Sequence, residues 1–173
     1  MSTVGHLFVG AAASRYALQK LSGPRTVGFA ALLTAMAVAP DLDLGVLPAL
    51  GVSESLTLGH RGATHSLVVA IAVTLMATLL AKAIGLPWRR VAVGAFLAIG
   101  SHAILDSLTA GPGVAWLWPF TSVRFPTFPI LPQPPLEHLF GPGWWLKLVA
   151  EMVIFSPFLV YAIFARPNDP PGP

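Results

Sequence analysis

Between residues 64 and 86 the chain runs for more than 20 residues with one formally charged side chain, Lys82, near the far end. A helix of that length, rising about 1.5 Å per residue, covers the roughly 30 Å of a bilayer's hydrocarbon. Such a segment must lie in a dry interior or in lipid, so it limits the chain to folds that bury or immerse whole helices. Four weaker apolar stretches accompany it, at residues 4–21, 26–39, 91–109 and 144–165. Breakers separate them: "LSGPR" after the first, Pro40 after the second, "GLPWRR" before the fourth. Ser66 or Thr64 is placed to cap the start of the long helix. Residues 40–62 are mixed. Residues 111–143 are dense in proline, glycine and aromatics and read as an irregular excursion, and all five Trp fall there or near helix ends.

Charged residues make up 10% of the chain, against about 25% in a soluble domain. The predicted fold is therefore all-α: a polytopic membrane bundle of about five helices with a Pro/Gly-rich outer loop. It forms one membrane-embedded domain over residues 1–166, followed by a disordered tail at 167–173. No positive region precedes the first apolar stretch, so a cleaved signal is not expected. The net charge of +3 is scattered, which argues against nucleic acid. With no cysteine, disulfides and thiolate metal sites are excluded, and any metal must sit on nitrogen and oxygen.

Orientation follows from Lys and Arg. Five alternating helices put Arg15, Lys20, Arg25, Lys82, Arg89, Arg90 and Arg166 on one side and Arg61, Arg124 and Lys147 on the other. The first side is expected in the cytoplasm of a cell whose inner membrane holds the protein.

With that topology the polar residues converge. His6, Asp41, Asp43, His60, His65, His102 and Asp106 come from the outer ends of four helices. Ionisable groups at membrane depth are costly, and seven at one face point to function. His102 and Asp106 are four apart on a helix, so they share a face and suit one metal ion. Asp41 and Asp43, two apart after Pro40, would share a side of an extended segment. Gly62 gives the backbone between His60 and His65 freedom to turn. His138, beside Glu137, reads as ordinary surface. Glu151 reads as a partner of Lys147 or as a further member of the site.

"APDLD", "HRGATHS", "HAILD" and "WPF" followed by Arg124 resemble the signature of a bacterial and archaeal family of predicted membrane-bound, metal-dependent hydrolases, the YdjM-like family. More distantly the pattern is similar to zinc-dependent phospholipase C. The resemblance covers roughly residues 6–124 and implies a helical membrane protein with a metal-dependent hydrolytic site. Carried over position by position, its residues are His6, Asp41, Asp43, His60, His65, His102 and Asp106. It weakens after Phe125, where this chain is rich in proline.

A sulfur-free His/Asp set suits zinc, with manganese or iron as alternatives. Seven candidates exceed the three protein ligands of one catalytic zinc. Either two ions bind, or some of the seven orient ligands or act as general base; Asp43 and His60 are assigned to catalysis as well as to metal, His60 as a second ligand or a general acid near the leaving group. Arg61 and Arg124 fall on the same side and suit phosphate. The expected activity is metal-assisted hydrolysis of a phosphoester in a lipid or lipid-like substrate. The alternative is a transition-metal transporter, or a metal-binding membrane protein without hydrolytic activity; against transport stands the clustering of ligands at one face rather than at the midplane.

Overall fold

The computed structural model describes residues 3–19, 21–51, 59–130 and 144–165. Among these the chain is all-helical, with one isolated bridge between Val114 and Phe125. Six α-helices follow in order: α1 Thr3–Leu18, α2 Pro24–Met36, α3 Asp43–Ala49, α4 Leu67–Ala83, α5 Trp88–Ser107 and α6 Trp144–Phe164. Two 3-10 turns, Ala39–Leu42 and Ala63–His65, lead into α3 and α4. The five long helices match the five apolar stretches within a few residues. The sixth, α3, lies in the segment expected to be mixed; at seven residues with Pro48 inside, it shows no periodicity to read. The predicted cap is present: the Ser66 hydroxyl accepts from the Val69 amide at 3.2 Å.

Helix α1 packs against α2, α5 and α6, and α4 packs against α5. Small residues set the spacing. A Cβ on Gly94 of α5 would lie 2.7 Å from the Ala17 Cβ of α1, and one on Gly10 of α1 would lie 2.7 Å from the Ala37 Cβ just after α2. The backbones meet there because nothing stands between them, the same device that brings membrane helices together. On α5 the buried stripe runs Val91, Gly94, Ala95, Ala98, Ile99, then His102, Ala103 and Asp106. The apolar face of one helix thus turns polar in its last turns without changing direction.

The outward faces are apolar too. Ile71, Leu75, Met76 and Leu79 on α4, and Met152, Val153, Val160 and Ile163 on α6, are exposed. No single helix among the described residues is long and apolar enough to cross a membrane, but Pro24–Met36 together with Ala39–Ala49, bent by 64°, passes that test as a pair. The long segment at 64–86 forms only 17 helical residues, because residues 64–66 belong to the preceding turn and residues 84–86 to the following one. His138, Glu137 and the tail lie outside the described residues.

Candidate metal centre

Six side chains from five segments meet at one end of the bundle. The α5 stripe delivers His102 and Asp106, α1 delivers His6, the first 3-10 turn delivers Asp41, and the loop and second 3-10 turn before α4 deliver His60 and His65. His6, His65, His102 and Asp106 are at most 2% exposed. Asp41 and His60 are partly exposed and form the mouth.

The ring nitrogens are sorted by their partners. His102 Nδ1 lies 2.7 Å from the Ala37 carbonyl oxygen, which can only accept, so Nδ1 carries the proton and Nε2 is bare. Thr64 Oγ1 gives its one hydrogen to Asp43 Oδ2 at 2.5 Å and sits 2.9 Å from His65 Nδ1, so that nitrogen donates and His65 Nε2 is also bare. Asp43 Oδ1 takes His60 Nδ1 at 2.8 Å, leaving His60 Nε2 for the site. The bare Nε2 atoms of His65 and His102 are 3.1 Å apart. In the neutral rings two lone pairs at that distance repel, and either the extra proton of a charged His65 or a metal ion between them relieves this.

Carboxylates complete the set. Asp41 Oδ1 lies 3.2 Å from His102 Nε2 and 4.0 Å from His65 Nε2. Asp106 Oδ2 lies 3.3 Å from His65 Nε2 and 3.8 Å from His102 Nε2. Zinc bonds of about 2.0–2.1 Å place neighbouring tetrahedral donors about 3.3–3.4 Å apart, within the observed spread. His6 stacks on His102 at 3.8 Å and 17°, with Nε2 3.6 Å from Asp106 Oδ1. Both His6 nitrogens are buried without a hydrogen bond among the described residues, an arrangement that a bound cation would relieve. The donors fall into two groups, Asp41, His60, His65 and Asp106, and His6, Asp41 and His102, which share Asp41. The residues fit one or two ions. Burial alone would lower the His65 pKa, but hydrogen bonds to Asp106 and Asp43 outweigh it and hold the pKa above the ordinary value.

Three sequence expectations change. Asp41 and Asp43 do not share a side of an extended segment. Asp41 sits in a 3-10 turn and Asp43 opens α3, so they reach opposite nitrogens of His65. Asp43 stands in neither donor group, and its carboxylate holds His60, His65 and Thr64 in place. Arg61 was expected to face a substrate anion. Its guanidinium is buried, with Nη2 donating to Thr109 Oγ1 at 2.8 Å and Nε 3.4 Å from Asp106 Oδ2. Arg124 donates from Nη1 to the His60 carbonyl oxygen at 2.8 Å, tying the mouth loop down. Glu151 is buried on α6 and is a member of neither donor group.

Sequence reasoning missed Thr109, Gly111 and the Ala37 carbonyl. A Cβ on Gly111 would overlap the Arg61 guanidinium, so the glycine makes room for it. A glycine four residues past the His/Asp helix was the one available signal; the carbonyl had none.

The chain matches the YdjM inner membrane protein family over residues 1–168. It is 40% identical over 112 residues to the inner membrane protein YbcI of Escherichia coli (strain K12), a match covering 61% of this chain and 60% of that protein. No solved structure matches. A match across nearly the whole chain, spanning every donor of the buried His/Asp centre, shows that it belongs to the YdjM inner membrane protein family.

Proposed function

We propose that this chain is a membrane-bound, metal-dependent hydrolase that cleaves a phosphoester of a lipid or lipid-like substrate at the outer face of the membrane, with zinc the best-suited ion. One observation supports it above the others: two bare imidazole nitrogens 3.1 Å apart, flanked by Asp41 and Asp106 oxygens, at the foot of a partly open mouth. His65, His102, Asp41 and Asp106 would hold one ion, and His60 and His6 extend the set on either side toward a second. Such an ion, when bound, acts as a Lewis acid and lowers the pKa of water to about 7.

The chain's own residues do the rest. Asp43 and Thr64 fix the tautomers of His60 and His65, so both turn Nε2 inward. Arg61 holds Asp106 in place through a buried charge pair. His60, partly exposed at the mouth, is placed either to ligate or to give a proton to the departing alcohol as water adds to phosphorus and the P–O bond breaks. The seven-to-three cation split supports the outward orientation.

The test is phosphate release from a phospholipid monoester by purified protein in bilayer discs, with and without chelator, alongside metal analysis. Turnover that chelator abolishes and zinc restores is expected, with metal lost in His102→Ala. Metal-free protein with full activity overturns the metal role. Metal-loaded protein with no turnover on any phosphoester overturns hydrolysis and leaves a metal-binding membrane protein.

A further inference from the structure

Beside the His/Asp centre a cleft of about 250 Å³ opens between α4 and α5. Its lining includes Thr64 and His65, the turn that carries one of the site's imidazole nitrogens. Small residues make the space, Ala70 on α4 and Gly100 and Ala103 on α5, and its rim includes the exposed Phe96 and Ile104. Its few hydroxyls are engaged elsewhere: Thr64 Oγ1 with Asp43, Ser66 Oγ with the Val69 amide, Ser101 Oγ with the Ala98 carbonyl. The walls therefore offer water little, and apolar cavities of this kind stay dry or take hydrocarbon. An apolar cavity of about 150 Å³ accepts benzene, so this one has room for a longer segment. The larger cleft between α1, α5 and α6, of about 590 Å³, reaches none of the donors.

We propose that the α4–α5 cleft receives the hydrocarbon chain of the substrate, so that the enzyme acts on single-chain or laterally entering amphiphiles whose phosphate rests at the centre while the chain lies between the helices. The inference rests on the phosphoester reading but concerns a different part of the molecule. The occupant follows from continuity: His65 of the polar centre lines the cleft, and exposed apolar side chains line it too, in a protein of an inner membrane family. An amphiphile is the chemistry that satisfies both ends at once. The chain enters from the side, without lifting through the polar mouth at Asp41 and His60.

Gly100 is the place to test it. A Cβ there would meet the Phe96 ring at 3.8 Å, an ordinary contact, so alanine adds without a clash, and leucine is the larger filler at the same cleft-lining position. The substrates are p-nitrophenyl methyl phosphate and p-nitrophenyl hexadecyl phosphate, presented to full-length protein in bilayer discs. Each methylene moved from water to hydrocarbon is worth about fourfold in affinity. A leucine displacing two or three of them lowers the hexadecyl-to-methyl ratio of kcat/KM by about tenfold or more, with Gly100→Ala falling between. An unchanged ratio in Gly100→Leu, or equal loss on both substrates in Gly100→Ala, overturns the proposal. If wild-type protein cleaves neither of these diesters, the hydrolase reading stands or falls by the monoester assay, and binding of hexadecylphosphonic against methylphosphonic acid decides the cleft. A chain-length preference lost in Gly100→Leu supports it; one retained overturns it.

Discussion

Replacing Asp43 by Asn separates a residue that orients metal ligands from one that binds metal. The carboxylate accepts from His60 Nδ1 at 2.8 Å and Thr64 Oγ1 at 2.5 Å, and lies 3.4 Å from His65 Nδ1, whose proton points to Thr64 Oγ1 beside it. Asparagine keeps the volume but offers one acceptor oxygen and turns an NH₂ group toward at least one of those donors. That conflict is relieved if a ring shifts its proton to Nε2, the nitrogen that faces the centre. Outer partners of metal-bound histidines contribute about 10- to 100-fold to metal affinity. Because Asp43 holds two histidines, the upper end is expected, about 100-fold or about 2.7 kcal/mol. Competition for zinc against a chromophoric chelator measures it, with circular dichroism and thermal unfolding of the metal-free protein as controls for folding. Asp43→Asn should bind the wild-type number of ions, more weakly. Asp41→Asn should lose more, since Asp41 belongs to both donor groups. Wild-type affinity in Asp43→Asn refutes the orienting role, and loss of a whole ion equivalent makes Asp43 a ligand itself.

Arg61→Lys cannot reach both Thr109 and Asp106 and should cost about 1.5–3 kcal/mol of stability, read by thermal unfolding, together with weakened metal retention; Gly111→Ala, crowding the same guanidinium, should act in the same direction by about 1–3 kcal/mol. Metal affinity should fall as pH is lowered. His65 keeps its proton to a higher pH than a free histidine, and the ion must displace it, so weakening sets in above about pH 6.5 and approaches tenfold per unit for one proton, read by zinc titration across that range. In the cysteine-free background, Thr121→Cys should react with a membrane-impermeant thiol reagent in intact cells and Pro87→Cys should not; the reverse pattern refutes the outward orientation.

The long helices were legible because each is an apolar run closed by Gly or Pro, a signal that extends over many residues. Element α3 carried none, being two turns long with Pro48 inside it. The members of the centre were legible by chemical type, since an ionisable group among apolar neighbours stands out. The pair His102 and Asp106 was legible in geometry as well, because helical spacing alone brings them within 3.8 Å. Roles were less legible. Whether Asp43 binds metal or histidine depends on contacts across 17 and 21 residues of chain. The turn between His60 and His65 was read into Gly62, yet the left-handed residue is Arg61, at φ 61°. A non-glycine residue holds that conformation only where its surroundings impose it. Here the Arg61 carbonyl is bound by the Ala115 amide and its side chain by Thr109 and Asp106.

The same small residues that close the bundle also aim the centre, and this ties the fold to the chemistry. Ala37 is held against α1 because Gly10 leaves room for its Cβ. Its carbonyl, freed by the end of α2 at Met36, is the group that fixes the His102 proton on Nδ1. Where α1 meets α5 through Gly94 and Ala17, the two helices run close enough for His6 to stack on His102 three turns away along α1. A wider spacing, as larger side chains at Gly10 and Gly94 would impose, would separate the rings and move the carbonyl out of reach. Helices in lipid gain little from apolar burial alone, and close backbone contact is what holds them. In this chain that contact also sets which imidazole nitrogens are bare.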